Sequence, residues 1–558
     1  MYYRRTYLLL LLVRLYFAFA PSYIHPDEHF QGPEIIAGYL FSFPSSPPWE
    51  FTVSTPIRSV FPLYVAYGFP LTCLKWLWGE FSDGDTPPPE IVYRVVRGTF
   101  FLMTFVLEDW AVLEIAPSHR RKRQAMLLVA SSYVTWVYQS HSFSNSSETL
   151  LVLWALVLMR RIRDNKYRTS IFDCTVLGGV ITMGVFNRIT YPAFLIIPGL
   201  SMLPHFWRRP FTFLCIGISI AIHTLVGIYI DTDYYKLGSD EPTIVRVFTN
   251  PVFTPLNNLR YNSQVDNLAE HGLHARYQHF FVNMLELLGP AYVLVLLAMV
   301  SRKFSRYVSL RSLRALSALS AIGLLSIFPH QEARFLLPCV PLMLTCIRKP
   351  LSRQFYMAWA VFNIFLGALM GMYHQGGVIP TQLQIPRILD EAIDSKQIAP
   401  GAEKTANVIW WKTYMPPNWL LGSSSAKLTN LNIQTVDMKG ISGLDMMASL
   451  ETLVPQCDGH WPNSTLGLHH APTLLVAPAS NTFIDSYVAP NDSEKKSESA
   501  HLTPTEKIQL HLLYSYKNHI NLDDLDFGDD GIFPTLRRVI GRRGLNVWLV
   551  QRDCESKY

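Results

Sequence analysis

Charge is scarce in this chain. Only 16% of its 558 residues are Asp, Glu, Lys or Arg, while 49% are hydrophobic and 13% aromatic; soluble domains carry roughly a quarter of their residues as charges. With a mean hydropathy of +0.16, the composition argues against a soluble globular protein and predicts a polytopic α-helical membrane protein. The net charge of +6 is small for this length, and no basic patch with interleaved aromatics occurs, so nucleic acid is not among the expected partners. Cysteine is sparse as well. Cys73, Cys174, Cys215, Cys339, Cys346, Cys457 and Cys554 form no CxxC and no metal-like pairing. Most fall in apolar runs as small core residues; only Cys457 and Cys554 lie in polar sequence, where an oxidising compartment would permit a disulfide. The internal repeats and paired broken spans of secondary transporters are also missing, which leaves a transporter as the weaker alternative class.

Long apolar runs dominate what is present. The run at 7–20 follows Arg4 and Arg5 and reads as a retained signal-anchor, because cleavage near Ala20 would detach it from the acidic loop behind it. Further runs lie at about 92–115, 125–143, 149–159, 171–203, 211–230, 281–300, 313–328, 335–347 and 355–373. Basic clusters separate them at 119–123, 160–168, 208–209, 302–306 and 348–353, and the positive-inside rule places all of these in the cytosol with the N-terminus. That parity requires 171–203 to form two short spans turning near Asn187, Arg188 and Pro192, and 60–78 to be interfacial or re-entrant. The expected arrangement is about eleven spans, a long first luminal loop at 21–90 and a luminal C-terminus. Sequons at Asn463-Ser-Thr and Asn491-Asp-Ser favour the same side for the tail. Short apolar stretches at 408–411, 473–476 and 547–550 predict buried strands, and 490–500 a flexible loop. The chain therefore reads as a membrane domain at 1–373 followed by a small luminal α/β domain at 374–558.

The most unusual polar stretch is 23–34, which packs His25, Asp27, Glu28, His29, Gln31 and Glu34 beside the first apolar run, with Pro26 and Pro33 restricting the backbone. Ionisable groups at a membrane boundary are costly, and a stiff acidic loop suits a general base or a sugar clamp. Asp27 is the expected base and Glu28 the alternate, since adjacent acids on an irregular loop cannot be ranked from sequence. The parity brings other groups to the same face. Arg58 lies in the same loop, and Arg94 and Arg97 stand i and i+3 at the entry to the next crossing. His274 belongs to the loop before the 281–300 run, and His330 and Arg334 are one helical turn apart. Each has a bland explanation, snorkelling for the arginines and structural hydrogen bonding for a lone histidine. Their convergence on one face is what favours a phosphate- or sugar-binding site.

The strings His25-Pro-Asp-Glu-His-Phe-Gln31, Pro56-Ile-Arg-Ser-Val-Phe-Pro62, Phe186-Asn-Arg-Ile-Thr190 and His330-Gln-Glu-Ala-Arg-Phe-Leu-Leu-Pro338 resemble those of the dolichyl-phosphate-mannose-dependent mannosyltransferases, glycosyltransferase family 22. The resemblance implies a GT-C fold in the endoplasmic reticulum membrane, a catalytic acid on the first luminal loop, and dolichyl phosphate mannose as donor. Within the family, Ala406-Asn-Val-Ile-Trp-Trp-Lys-Thr-Tyr-Met-Pro-Pro417 and Tyr373-His-Gln-Gly-Gly-Val378 are most similar to the branch that adds the fourth, α-1,2-linked mannose to the glycosylphosphatidylinositol (GPI) precursor glycolipid. The alternatives are the branch for the third GPI mannose and those acting on lipid-linked oligosaccharides. The stretch around Asn187 departs from the Arg-Pro-Thr of some relatives, so the resemblance assigns Arg188 no role. A β-linked mannosyl phosphate giving an α-mannoside inverts in one displacement. One base suffices, because the phosphate leaves without the second carboxylate that glycoside hydrolysis needs. Charge developing on that phosphate calls for cations, Arg334 and His330 first and then Arg58, Arg94 and Arg97. The donor carries no nucleotide diphosphate and no ligand spacing suggests a metal, so neither metal nor other cofactor is expected.

Overall fold

The structure, a computed structural model, describes residues 2–82, 86–165, 169–238, 241–269, 272–395, 405–422, 432–455, 471–489, 507–522, 525 and 527–553. Cys457, Cys554, both sequons and the 490–500 loop lie outside the described residues. Apolar sequence folds as helix through most of the first 394 positions, beginning with Tyr2–Phe19. Pro210–Tyr235 and Arg353–Tyr373 are long and apolar enough to cross a bilayer, and shorter apolar helices include Ile171–Asn187, Pro290–Val300 and Leu313–Leu325. The run at 171–203 divides where expected: Arg188 is extended and Pro192 opens a new helix, Pro192–Leu200. Residues 60–78 fall in a helical stretch made of Phe61–Leu63, a π turn at Tyr64–Gly68 and Phe69–Phe81.

Besides the split at 171–203, three runs are not single helices: 281–300 breaks at Gly289, where φ is +45°, between Met284–Leu288 and Pro290–Val300. After His119–Ala130 the 125–143 run makes only the turn Tyr133–Trp136 before becoming irregular, and Cys339–Leu344 is a six-residue helix. In the 125–143 run the cause is local chemistry. Gln139, Ser140, His141 and Ser142 are all buried. The Ser142 hydroxyl donates to the Glu28 carbonyl at 2.9 Å and His141 Nδ1 meets the Glu28 carboxylate at 2.8 Å, so these two residues bind the first loop rather than continue a helix.

The tail carries a five-stranded sheet ordered β2-β1-β3-β5-β4, with β1 Thr405–Trp411, β2 Asn432–Met438, β3 Thr473–Pro478, β4 Lys507–Tyr516 and β5 Leu545–Asp553. The stretches 408–411, 473–476 and 547–550 lie in β1, β3 and β5. β1 runs parallel to both β2 and β3, while β5 is antiparallel to its neighbours. Side chains alternate across β1. Val408 and Trp410 join Tyr23, Ile36, Val60 and Val96 in one core, and Ile409 and Trp411 join Met446, Leu450 and Trp548 in another. The first of these cores unites the tail with the 21–90 loop, so the two are on the same side of the helices. A buried polar knot reinforces the join. Gln375, at φ +50°, accepts from the Thr413 hydroxyl at 2.6 Å and donates to Asn521 Oδ1 at 2.9 Å. Tyr23 donates to the Met415 carbonyl at 3.1 Å.

Candidate active site

Pro26 starts the short helix Asp27–Phe30 on the far side of Tyr2–Phe19, and the Asp27 N–H donates to His25 Nδ1 at 3.2 Å. A helical turn separates consecutive side chains by about 100° and brings i and i+4 together. Asp27 and Gln31 accordingly share a face, and Gln31 Nε2 donates to Asp27 Oδ2 at 2.6 Å. Both border a cavity of about 700 Å³ lined by the first loop, the 188–190 turn, the 258–268 segment, the 325–335 segment and the tail.

The cavity wall carries a chain of ion pairs. Asp27 is paired with Arg334, which is also paired with Glu332, and Glu332 meets His330 Nε2 at 3.0 Å. From Gln31 a second branch runs to Glu50 Oε2 at 3.0 Å, and Arg58 Nε donates to Glu50 Oε1 at 3.0 Å. Arg188 reaches the cavity from its extended turn, donating to Ser144 Oγ at 2.8 Å. The Phe335 ring lies between the Arg188 and Arg334 guanidiniums, at 5.2 and 5.7 Å. Asp27 is 21% exposed and Arg334 10%, so the pair is open to a ligand without being fully solvated.

Electrostatics follow from this packing. Burial alone would raise the Asp27 carboxyl, but Arg334, and then His25 and Arg58, hold it well below the usual carboxylate range. Glu332 opposes burial in the same way through Arg334 and His330. Burial disfavours charge on His330, yet Glu332 outweighs it and raises the imidazole above its ordinary value. The site thus presents an ionised carboxylate next to a cationic wall. Among the described residues, no group of three or more His, Cys, Asp or Glu side chains is placed to hold a metal ion.

Of the sequence candidates, His25, Asp27, Gln31, Arg58, His330 and Arg334 border this cavity. Glu28, His29, Glu34, Arg94, Arg97 and His274 do not. Glu28 is turned a residue's angle away from Asp27 and is fully buried against Arg97 Nη1 at 2.6 Å and His141 Nδ1 at 2.8 Å. Arg97 also donates to the Ala18, Phe17 and Ala20 carbonyls at 2.7, 3.2 and 3.1 Å, closing the open end of Tyr2–Phe19. These two residues fix the acidic turn to the first helix. Arg94 falls outside the buried stripe of its helix, formed by Val92, Tyr93, Val96, Arg97 and Phe100, and is exposed. The i, i+3 spacing therefore does not give the two arginines one environment. His29 packs between Tyr23 and Tyr93, with ring centroids at 4.9 and 6.0 Å. Glu34 accepts the Ser46 N–H at 2.7 Å, and burial pushes its carboxyl up to about 8, which keeps it protonated at neutral pH. His274 stands behind His330, accepting the Gln331 N–H at 3.3 Å. Glu50, Glu332 and the tail residues on the cavity wall were not singled out by sequence. Glu332 stands inside the His330–Pro338 string, and the arginine partners of Glu50 and Glu332, eight and two residues away, were the available signal.

The Glu28–Arg97 pair is the first stability test. Arg97→Met should cost about 3–5 kcal/mol, because it strands a buried carboxylate. Thermal unfolding of the detergent-purified protein reads this directly. Adding Glu28→Gln should restore much of the loss; if the double variant is no more stable than Arg97→Met, the pair is not what anchors the turn.

A carboxylate kept ionised by a guanidinium, on the wall of a cavity that also carries further cations, is the equipment of a group-transfer enzyme that deprotonates one substrate while neutralising charge on another. Comparison with known proteins supplies the class of group. Residues 5–422 match the Alg9-like mannosyltransferase family, and the chain belongs to that family. It is 50% identical over 557 residues to "GPI mannosyltransferase 4" of Aspergillus oryzae, covering 98% of this chain and 99% of that protein. The protein of the same name from Emericella nidulans is 50% identical over 556 residues, with 98% of both chains covered. The one from Saccharomyces cerevisiae is 32% identical over 542 residues, covering 93% of this chain and 94% of the relative.

Proposed function

We propose that this chain is a membrane enzyme of the endoplasmic reticulum that moves mannose from dolichyl phosphate mannose to the 2-hydroxyl of the third mannose of the GPI precursor, with inversion and with Asp27 as general base. The observation that carries the reading is the Asp27–Arg334 pair on the cavity wall. Relatives named for GPI mannosyl transfer along nearly their whole length support the acceptor. The common core of the 21–90 loop and the tail supports a luminal C-terminus, since a loop reached after one crossing from a cytosolic N-terminus is luminal. A GT-C architecture of about eleven spans fits the same parity.

The donor's mannosyl phosphate approaches Arg334, with Arg58, Arg188 and His330 close by on the cavity wall. An arriving phosphate competes with Asp27 for the guanidinium. As Arg334 turns to the phosphate, Asp27 loses the contact that most depresses its basicity, so it becomes a better base when both substrates are present. The acceptor hydroxyl attacks the anomeric carbon from the face opposite the phosphate, its proton passes to Asp27, and the C1–O bond to the phosphate breaks. The phosphate leaves as a dianion against the cationic wall. Leu325 and Phe328 give one side of the cavity an apolar lining suited to the first units of the dolichyl chain.

The acceptor assignment is tested in cells depleted of this chain. A GPI lipid with three mannoses should accumulate; accumulation of a two-mannose lipid or of truncated lipid-linked oligosaccharide would overturn it.

A further inference from the structure

The tail does more than brace the first loop. β1 and β2 are adjacent and parallel, with Trp411 in register with Met438, so the chain leaving both strands emerges at the same end of the sheet. In sheets of parallel strands this carboxyl end is where ligands are received. Here that end forms a wall of the catalytic cavity: Tyr414 and Met415 follow β1, and Asp437 and Lys439 stand at the close of β2.

These residues form a built surface. Lys439 Nζ lies 4.3 Å from the centre of the Tyr414 ring. The same ring is held edge-on by Tyr23 at 5.4 Å and His374 at 5.6 Å. Lys439 donates its backbone N–H to Asp437 Oδ1 at 2.9 Å, which fixes the turn that carries both charges. Asp437 is exposed, and Lys439 and Tyr414 are partly exposed. Tyr23, which holds the ring, is four residues from Asp27, so the surface is tied to the reacting carboxylate.

We infer that Tyr414, Asp437 and Lys439 form a carbohydrate subsite that binds the acceptor's sugars beyond the mannose being extended, and so set acceptor specificity. The inference rests on the reading of Asp27 and Arg334 given above. A tyrosine ring topped by an ammonium, with an acid beside it, is a combination that binds sugars, the charges taking hydroxyls and the exposed part of the ring lying against C–H groups. Whereas the acceptor brings several sugars beyond the reacting one, the donor brings a single mannose, which is itself the reacting sugar. The arginines that suit its phosphate lie on other walls of the cavity.

Purified full-length protein carrying Lys439→Ala, Asp437→Asn or Tyr414→Phe would be assayed with dolichyl phosphate mannose and two acceptors, the trimannosyl GPI glycolipid and a simple octyl α-mannoside. For Lys439→Ala and Asp437→Asn, KM for the glycolipid should rise roughly tenfold, as expected for losing a hydrogen bond to a charged group. KM for the donor and transfer to octyl mannoside should stay as in the parent. Tyr414→Phe keeps the ring and should change neither acceptor's KM by more than about twofold. An unchanged glycolipid KM in both charge variants overturns the inference, and so does an equal rise in donor KM. Asp27→Asn in the same assay separates the two readings. If it transfers normally, the base assignment has failed; if it is dead while the tail variants match wild type, only the subsite has failed.

Discussion

Asp27→Asn is expected to lower kcat by about 10²–10⁴-fold with little change in KM for either substrate, and to leave the protein at normal abundance. The asparagine has the same shape and can still accept from Gln31, which bonds Asp27 Oδ2 at 2.6 Å in the parent. It cannot take the acceptor's proton. Arg334 remains paired with Glu332, so the substitution strands no buried charge. Asp27→Ala should behave alike. Transfer at the wild-type rate by both variants in microsomes would end the assignment, since Glu28 faces Arg97 and His141 rather than the cavity.

Arg334→Gln carries the second large effect, a loss of roughly 10²–10³ in kcat from removing a charged donor aimed at the leaving phosphate. It also makes a separate claim about pH. In the parent, burial pushes the Asp27 carboxyl up but Arg334 is the foremost influence holding it down. Without Arg334 the balance tips toward burial and the base titrates at higher pH. Activity that depends on ionised Asp27 is lost as pH falls through that value, so the acid limb of kcat/KM should lie at higher pH in Arg334→Gln than in the parent. A reduced rate with an unmoved limb would mean that Arg334 acts on substrate without tuning the base. Arg334→Lys should be intermediate, because an ammonium keeps the charge but lacks the fork that joins Asp27 to Glu332.

Much of this protein was legible as pattern. The break in the 171–203 run follows from Arg188 and Pro192, which end one helix and start another, and strands over 408–411, 473–476 and 547–550 follow from short apolar runs bounded by polar sequence. The 125–143 run illustrates the limit. Its hydropathy is that of a span, yet His141 and Ser142 find their partner, Glu28, in a loop more than a hundred residues away, and nothing local announces that.

Within the site the same division holds. Composition and motif placed an acidic loop, two histidines and several arginines on one face, because charge at a membrane boundary is too costly to be accidental. Once residues 27–30 are helical, the i, i+4 spacing links Asp27 with Gln31 and turns Glu28 away, so even that choice was latent in the sequence. Tertiary structure alone decided which arginine meets which acid. Arg97 and Arg334 are equivalent as residues, but one is closed against helix carbonyls and Glu28, and the other opens onto the cavity with Asp27. It also decided that Tyr414 and Lys439, about four hundred residues downstream, share the wall with Asp27. Local sequence sets turn, strand and hydropathy through short-range sterics and solvation; a pairing between distant charges depends on where the whole chain comes to rest, and no window of neighbouring residues contains it.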